Sequence, residues 1–394
     1  MAWPSNIDPD EDPTRTDEAA CFVITPEFER FNQMNDMFTR AFWDPKVKSE
    51  GTAAFFSSYR MDATPRRGEG FSQKDFALRN AAWAMSDIIS NRGADAGIRE
   101  GFQGAIEEDT PVAPTRAEIG SPARESKEIK ALARFFGADL VGITPIDPRW
   151  HYSHRPDLRS MSAVENEVPE GMTHVIVMGH AMDFDLVETY PSALAGASTG
   201  REYSHEAAIA IQLASYIRNL GYDAIASMND TALVIPYAIK AGLGEYGRNQ
   251  MVLTPEFGPR VRFSKIFTSL PLKSDKPREL GLSRYCNGCT ICADACPPKA
   301  LPKGEPQVGS DSPSTLKGVK KWSANCEACF GYWAKIKTDC AICMRVCPFN
   351  RQGTWLDRIW MWLARGSAWR LARFWENRRG KRQRLRPKDW WANL

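Results

Sequence analysis

The spacing of the cysteines restricts this chain more than any other feature. Nine of its ten cysteines lie between Cys286 and Cys347. The first run reads Cys286-Asn-Gly-Cys289-Thr-Ile-Cys292-Ala-Asp-Ala-Cys296-Pro297. This is C-x2-C-x2-C-x3-C-P, in which three thiolates wrap one [4Fe–4S] cubane from a single loop while the fourth ligates a neighbouring cluster. Pro297 ends local pairing and turns the chain away. The second run, Cys329-x10-Cys340-x2-Cys343-x3-Cys347-Pro348, repeats the pattern with its first ligand displaced upstream. Crossover then assigns Cys286, Cys289, Cys292 and Cys347 to cluster one, and Cys296, Cys329, Cys340 and Cys343 to cluster two. Cys326 is the alternative to Cys329, and Cys21 is spare. A structural zinc site competes with this reading, but zinc favours two well-separated C-x2-C pairs. Two cubanes mean one-electron transfer and damage by oxygen.

With 394 residues, 43% of them apolar, the chain is long enough for two or three domains and a sizeable core. A net charge of +3 makes no case for nucleic acid. No stretch of about 18 uncharged apolar residues occurs, so no spanning helix is expected.

Four regions are expected. Residues 1–120 form an N-terminal unit that opens with an acidic, Pro-rich arm and carries a helix over 76–89. An α/β (α+β) core follows over 121–280, with three layers expected from alternating elements. Its helices are predicted at 125–136, 203–220 and 234–240, and its strands at 138–143, 173–178, 224–228 and 261–268. Residues 146–172 read as a loop-like insertion, and Gly221 as the glycine that ends a helix. The cluster domain occupies 281–352. The last region, 353–394, holds 11 Lys and Arg against 3 Asp and Glu and is rich in Trp. Trp355, Ile359, Trp362 and Leu363 share one helical face there, which suits an anionic membrane surface, a partner subunit or packing on the chain's own domain, with nucleic-acid binding a weaker option.

Gly242-Leu-Gly244-Glu-Tyr-Gly247 fits G-x-G-x-x-G. A dinucleotide fingerprint needs a strand before it and a helix after it. Here a helical pattern with Pro236 precedes it, and Thr254-Pro255 follows too soon for a long helix. A glycine loop that lets the backbone approach a flat cofactor is the better reading. The expected cofactor contacts are Gly242, Leu243, Gly244, Glu245, Thr254 and Pro255.

The stretch AGLGEYGRNQMVLTPEFGPRVRFSKIFTSLPL (241–272), followed by the two cysteine runs and CFGYW at 329–333, resembles the corrinoid-dependent reductive dehalogenases, most closely the mature-length respiratory members. The similarity is clear over 121–352 and looser over 21–120. It implies a nitroreductase-like corrinoid-binding core fused to a ferredoxin-like domain, with a base-off corrinoid between them. Three catalytic residues carry over by motif: Tyr203 in Gly200-Arg-Glu-Tyr-Ser, Asn229 before Asp230, and Arg262 in Gly258-Pro-Arg-Val-Arg. Glu202 stands where the family often has glycine. Arg260, two residues before Arg262, would share its face of a strand.

The chemistry is consistent with those roles. Replacing carbon–halogen by carbon–hydrogen takes two electrons and a proton. The clusters deliver electrons singly, and the cofactor carries the redox step. Tyrosine is a poor acid at its ordinary pKa of about 10, and a neighbouring guanidinium lowers that value. Tyr203 as proton donor, Arg262 as its electrostatic partner and Asn229 as a hydrogen-bond donor toward substrate therefore make sense together. None of the five histidines sits in D-x-H-x-x-G, which agrees with a cobalt lacking a protein ligand.

Two other functions compete. Epoxyqueuosine reductase resembles this chain in core, corrinoid and clusters, but acts on tRNA. A non-catalytic electron carrier would not need some 280 residues ahead of the clusters. The resemblance further implies a small organohalide substrate, a small integral-membrane anchor protein, a homodimer as candidate assembly, and residence at the outer membrane face after twin-arginine export. Arg66-Arg67 lacks a following apolar region and is no export signal. A cytoplasmic form is the alternative. The sequence names neither the electron donor nor the organohalide.

Overall fold

The computed structural model describes residues 12–59, 68–167, 169–309, 312–378, 380 and 382–394. The start of the acidic arm and Arg66-Arg67 lie outside the described residues.

The core is a four-stranded sheet built from β1 (Leu140–Pro145), β2 (His174–Ala181), β3 (Ala224–Ser227) and β4 (Val261–Thr268), in the order β1-β2-β4-β3. Every pairing is antiparallel. Helices separate the strands in sequence, yet they do not create parallel crossovers. β2 is buried along almost its whole length. Its Ile176 and Met178 enter one core, and its Val175 and Val177 the other. A strand buried on both faces reads as an unbroken apolar run, which is why it was visible in the sequence.

Helices α2 (Pro122–Phe136) and α3 (Gly196–Asn219) cover one face, and α4 (Val234–Lys240) the other. α2 begins at a Ser121 side-chain cap with Pro122 in its first turn, three residues before the expected start. α3 begins two turns before 203, because its opening Gly-Ala-Ser-Thr-Gly carries no apolar period. It ends before Gly221, whose φ is +83°.

The described part of the first 120 residues builds one small cluster, Ala41, Val47 and Phe55 against Phe330, and otherwise packs into the core. Ile89 and Ile106 join the α2–α3 side, and Ala20, Phe22 and Phe28 join the α4 side. Helix α1 (Gln73–Ser90), started by a Ser72–Asp75 capping box, lies against α3. The 146–172 insertion is more ordered than expected. It holds a short ribbon of His154–Asp157 paired with Ser162–Glu165.

The cysteine runs lie on and beside short helices, Leu282–Gly288, Ile291–Ala295, Cys326–Ile336 and Ile342–Arg345. They are followed by α5 (Trp355–Arg365) and α6 (Trp369–Arg378), which pack together. Leu363 faces the cluster domain, whereas Trp355, Ile359 and Trp362 are exposed. Among the described residues no helix is long and apolar enough to cross a membrane.

Candidate active site

Tyr203, Asn229 and Arg262 come from three distant elements and meet at one hydroxyl. Asn229 Nδ2 donates to Tyr203 Oη at 2.6 Å. Arg262 donates to the same oxygen, and its guanidinium lies 4.0 Å from the centroid of the Tyr203 ring. Burial draws Arg262 down to about 10, against the opposing pull of Tyr190, Asp339 and Glu202. It therefore stays cationic at neutral pH, beside a phenol buried to 6% exposure.

The local sequence explains the meeting. β2 and β4 pair with His180 opposite Arg262, which directs Arg262 toward α3. The turn after β3 is held by Asp230, which accepts from Ser227 Oγ and Met228 N at 2.8 Å each. Lys265 Nζ ties down the Met228 and Asp230 carbonyls. Asn229 O accepts from Tyr152 at 2.9 Å. Arg260 lies just before the strand and is bound elsewhere, to Met182 O at 2.7 Å, so the shared face expected for the two arginines does not arise.

Several participants carry no sequence signal. Trp83 of α1 stacks on Tyr203 with centroids 4.6 Å apart, and Phe102 lies at 5.4 Å. Ser204 Oγ donates to Ala82 O at 2.6 Å and so fixes α1 on α3. A Cβ on Gly200 would meet Trp83 Cδ1 at 2.3 Å. Only glycine permits that approach, so this motif glycine serves the aromatic wall. His205 is exposed on α3, whereas His180 is buried and shares a proton with Ser264 Oγ at 2.9 Å.

The glycine loop belongs to protein packing. A Cβ on Gly242 would meet Lys276 O at 2.6 Å, and one on Gly244 would meet Leu253 O at 2.4 Å. Glu245 accepts from the backbone of Leu280, Gly281 and Ser283, capping the first cluster helix. Thr254 is fully buried and accepts from Phe257 N at 3.0 Å. Leu243 joins the α4-side core, and Pro255 follows Thr254 in its turn. The backbone approach that the glycines allow is taken by protein, not left open for a flat ligand.

The thiols gather in two groups drawn from both runs. Burial, and then Cys286, Cys292 and Cys289, push Cys347 well up. Burial, and then Cys292, Cys340, Cys329 and Cys296, do the same to Cys343. Cys286 and Cys292 are held at about 12, and Cys329 at about 11, burial being the main cause for each. Cys326 turns to the Ala324 carbonyl at 3.6 Å. Buried and half-buried thiols gathered from both runs, with Cys292 neighbouring both groups, suit iron–sulfur clusters, whose binding turns such thiols into thiolates. Arg248, 1% exposed, clasps the first loop through the carbonyls of Cys286, Asn287, Cys289, Pro302 and Gly304.

Among the buried polar atoms without a hydrogen-bond partner are Ser198 Oγ, Arg262 Nε and the Glu206 carboxyl in the core, and Arg345 Nε and Asn350 Oδ1 in the cluster domain. Buried polar atoms are normally satisfied. This donor set therefore fits a large ligand with a polar rim. A surface pocket of about 350 Å³, bordered by Glu118, Arg124, Glu125 and Tyr216, includes none of these groups.

Two family models match: the reductive dehalogenase subunit over residues 164–272 and the 4Fe-4S double cluster binding domain over 285–350. A tetrachloroethene reductive dehalogenase from Dehalobacter restrictus is 32% identical over 385 residues, covering 77% of this chain and 67% of that one. This chain belongs to the reductive dehalogenase family. A Desulfitobacterium hafniense member is 35% identical over 60% of this chain, and the alignment spans half of that relative's length. The solved structure of the catabolic reductive dehalogenase NpRdhA superposes with a TM-score of 0.68 at 25% identity, over 89% of this chain and 46% of that one. Epoxyqueuosine reductase from Lactococcus garvieae aligns over 39% of this chain.

Proposed function

We propose that this chain reduces a small organohalide, exchanging a carbon–halogen bond for carbon–hydrogen with two electrons and one proton and releasing halide. The observation that carries the proposal is the Tyr203 hydroxyl, held by a buried cationic Arg262 and by Asn229, at the end of a fold that gathers eight cysteines. A solved reductive dehalogenase structure is reported to suggest a mechanism for B12-dependent dehalogenation. A corrinoid would supply the reducing metal centre here, and the buried polar groups of core and cluster domain that lack a protein partner are the candidates to hold it.

The chain's own residues have three tasks. The two thiol quartets hold clusters that pass electrons singly. Tyr203 gives its proton to the carbon that loses halide, and Arg262 stabilises the phenolate left behind. Trp83 and Phe102 exclude water from the Tyr203 ring and give an apolar substrate a flat wall. Asn229 orients the phenol and offers a hydrogen bond to the substrate edge.

Likeness to tetrachloroethene reductive dehalogenases also supports an anaerobic, respiratory role at the outer face of the cytoplasmic membrane, with a small integral anchor protein. The test is anaerobic reconstitution with corrinoid and iron, followed by halide release from chlorinated and brominated substrates. Tyr203→Phe should retain cobalt and iron and lose turnover by at least about a hundredfold. Normal turnover in that variant removes Tyr203 from the mechanism.

A further inference from the structure

Two acids share a turn of α3 with Tyr203. Glu206 is fully buried, and both of its oxygens lack a hydrogen-bond partner among the described residues. An unpaired buried carboxyl is costly as an anion and far less so as the neutral acid. Glu202, 3% exposed, precedes it by one turn, so the two carboxyls lie on one stripe of the helix. Two carboxyls in one dry site do not both ionise, so the pair keeps a proton at neutral pH. Glu202 is also the residue that stands in place of the motif's frequent glycine, which makes the pair a feature of this chain.

The charges around the pair agree with a stored proton. Burial and then Glu202 raise Glu206; Lys265 of β4 opposes them, but its ammonium is taken by the Met228 and Asp230 carbonyls. Burial holds Glu202 at about 7, with Arg201, Asp139, Asp183 and Arg262 as its charged neighbours. His180 of β2 is held down at about 3 by burial, then His205 and Arg262, and stays neutral. On the other elements packed against α3, Arg79 of α1 turns to Ser58 O, Glu125 of α2 accepts from Gly120 N, and Glu188 accepts from Asn350 Nδ2. Access runs inward from the surface. Arg201 and Asp139 are exposed, and Arg201 Nε lies 3.1 Å from Glu202 Oε1. Helical side chains lean toward the N-terminus, so Glu206 reaches back over the turn that carries Glu202 and Tyr203.

The reaction proposed above takes one proton from Tyr203 for each halide and leaves a buried phenolate. Resting on that reading, we infer that Glu206 and Glu202 form a proton store that reloads Tyr203 between turnovers. The Glu206 O–H bond breaks as the Tyr203 O–H bond re-forms. Glu206 then takes the proton of Glu202, and Glu202 takes one from water beside Arg201. One proton enters for each halide that leaves, and no electron moves. Both acids act through Tyr203 and touch neither the substrate nor its reacting carbon.

The test is rapid-quench halide release by anaerobically reconstituted, pre-reduced holoprotein in excess titanium(III) citrate, with the best substrate of the panel above. Wild type should release halide at one steady rate. Glu206→Gln, of equal size, should release one halide per enzyme in a burst and then turn over about tenfold more slowly. Imidazolium, a small diffusible acid, should restore the slow phase, and Glu202→Gln should slow that same phase. Independently of activity, the infrared spectrum at pH 7 should carry a protonated-carboxyl band that shifts in heavy water and is lost in Glu206→Gln. Unchanged iron content and circular dichroism verify folding. Four results overturn the inference: Glu206→Gln is slow from its first halide; both variants keep wild-type steady turnover; Glu206→Gln sheds cobalt, which assigns its carboxyl to holding the cofactor; or the infrared band is the same in wild type and variant. A wild type that releases no halide from any substrate overturns the dehalogenation reading and the reloading with it, while the infrared band still decides whether a proton is stored.

Discussion

Replacing Arg248 by methionine tests how the first cysteine loop is held. Six hydrogen bonds run from this buried guanidinium to five carbonyls. Two of those carbonyls keep another donor: Gly304 O has Trp322 Nε1 at 3.1 Å, and Cys286 O has Cys289 N at 3.1 Å. The carbonyls of Asn287, Cys289 and Pro302 would lose the arginine's donor. A buried acceptor left without a donor costs about 1–3 kcal/mol; Cys289 is buried, whereas Asn287 is exposed and Pro302 half-buried, where water replaces much of the lost donor, so the gross loss is about 2–4 kcal/mol. Methionine fills the space and removes the desolvation of a cation, which returns part of that. We expect a net loss of about 2 kcal/mol, near thirtyfold in the equilibrium holding this loop closed. The assay is anaerobic chelator challenge of the reconstituted protein, following iron release and cluster absorbance. Arg248→Met should shed the first cluster far faster than the second, and Arg248→Lys, which keeps charge but fewer donors, should fall between. Wild-type iron content and wild-type chelator resistance in Arg248→Met would refute the reasoning.

Further outcomes follow from the same contacts. Cys329→Ser should lose the second cluster while Cys326→Ser keeps both, as read from iron content and electron paramagnetic resonance. Gly200→Ala should lower stability by about 1–2 kcal/mol despite alanine's helix preference, because Trp83 must move off Tyr203; a raised melting temperature would contradict this. Glu202 is held up at about 7, chiefly by burial, and burial raises Glu206 well above its ordinary value. A carboxyl raised on folding supports stability fully below about pH 4.5 and loses that support as pH rises through about 7. Glu202→Gln should therefore raise the melting temperature at pH 8 more than at pH 5, and equal shifts at both would discount the effect.

What the sequence revealed was local, or tied to a fixed spacing. The 261–268 strand and the 234–240 helix lie where β-branched runs and a short helical pattern place them, and Phe76 to Ile89 falls within α1. The triad was legible only through family motifs, since nothing local tells Tyr203 from any other tyrosine on a buried helix. Its surroundings were not legible. Trp83 reaches Tyr203 across more than a hundred residues of chain, and Arg248 binds carbonyls that no periodicity encodes. Glu245 stood inside a suggestive glycine pattern, and its role as a cap for Leu280–Ser283 arises only when two domains close together. The antiparallel sheet was equally hidden, because alternation of helices and strands does not fix strand direction.

The exchange of cysteines between the two runs has a consequence for maturation. In the proposed assignment, Cys347 closes a quartet begun by Cys286, and Cys296 closes one completed by Cys343; each run's last cysteine lies near the other run's thiols. Neither cavity has four walls until both halves of the domain have come together. Loading should then resemble fastening two interlocked clasps: a sub-stoichiometric supply of iron and sulfide should leave a mixture of empty and fully charged molecules, with few carrying a single cubane.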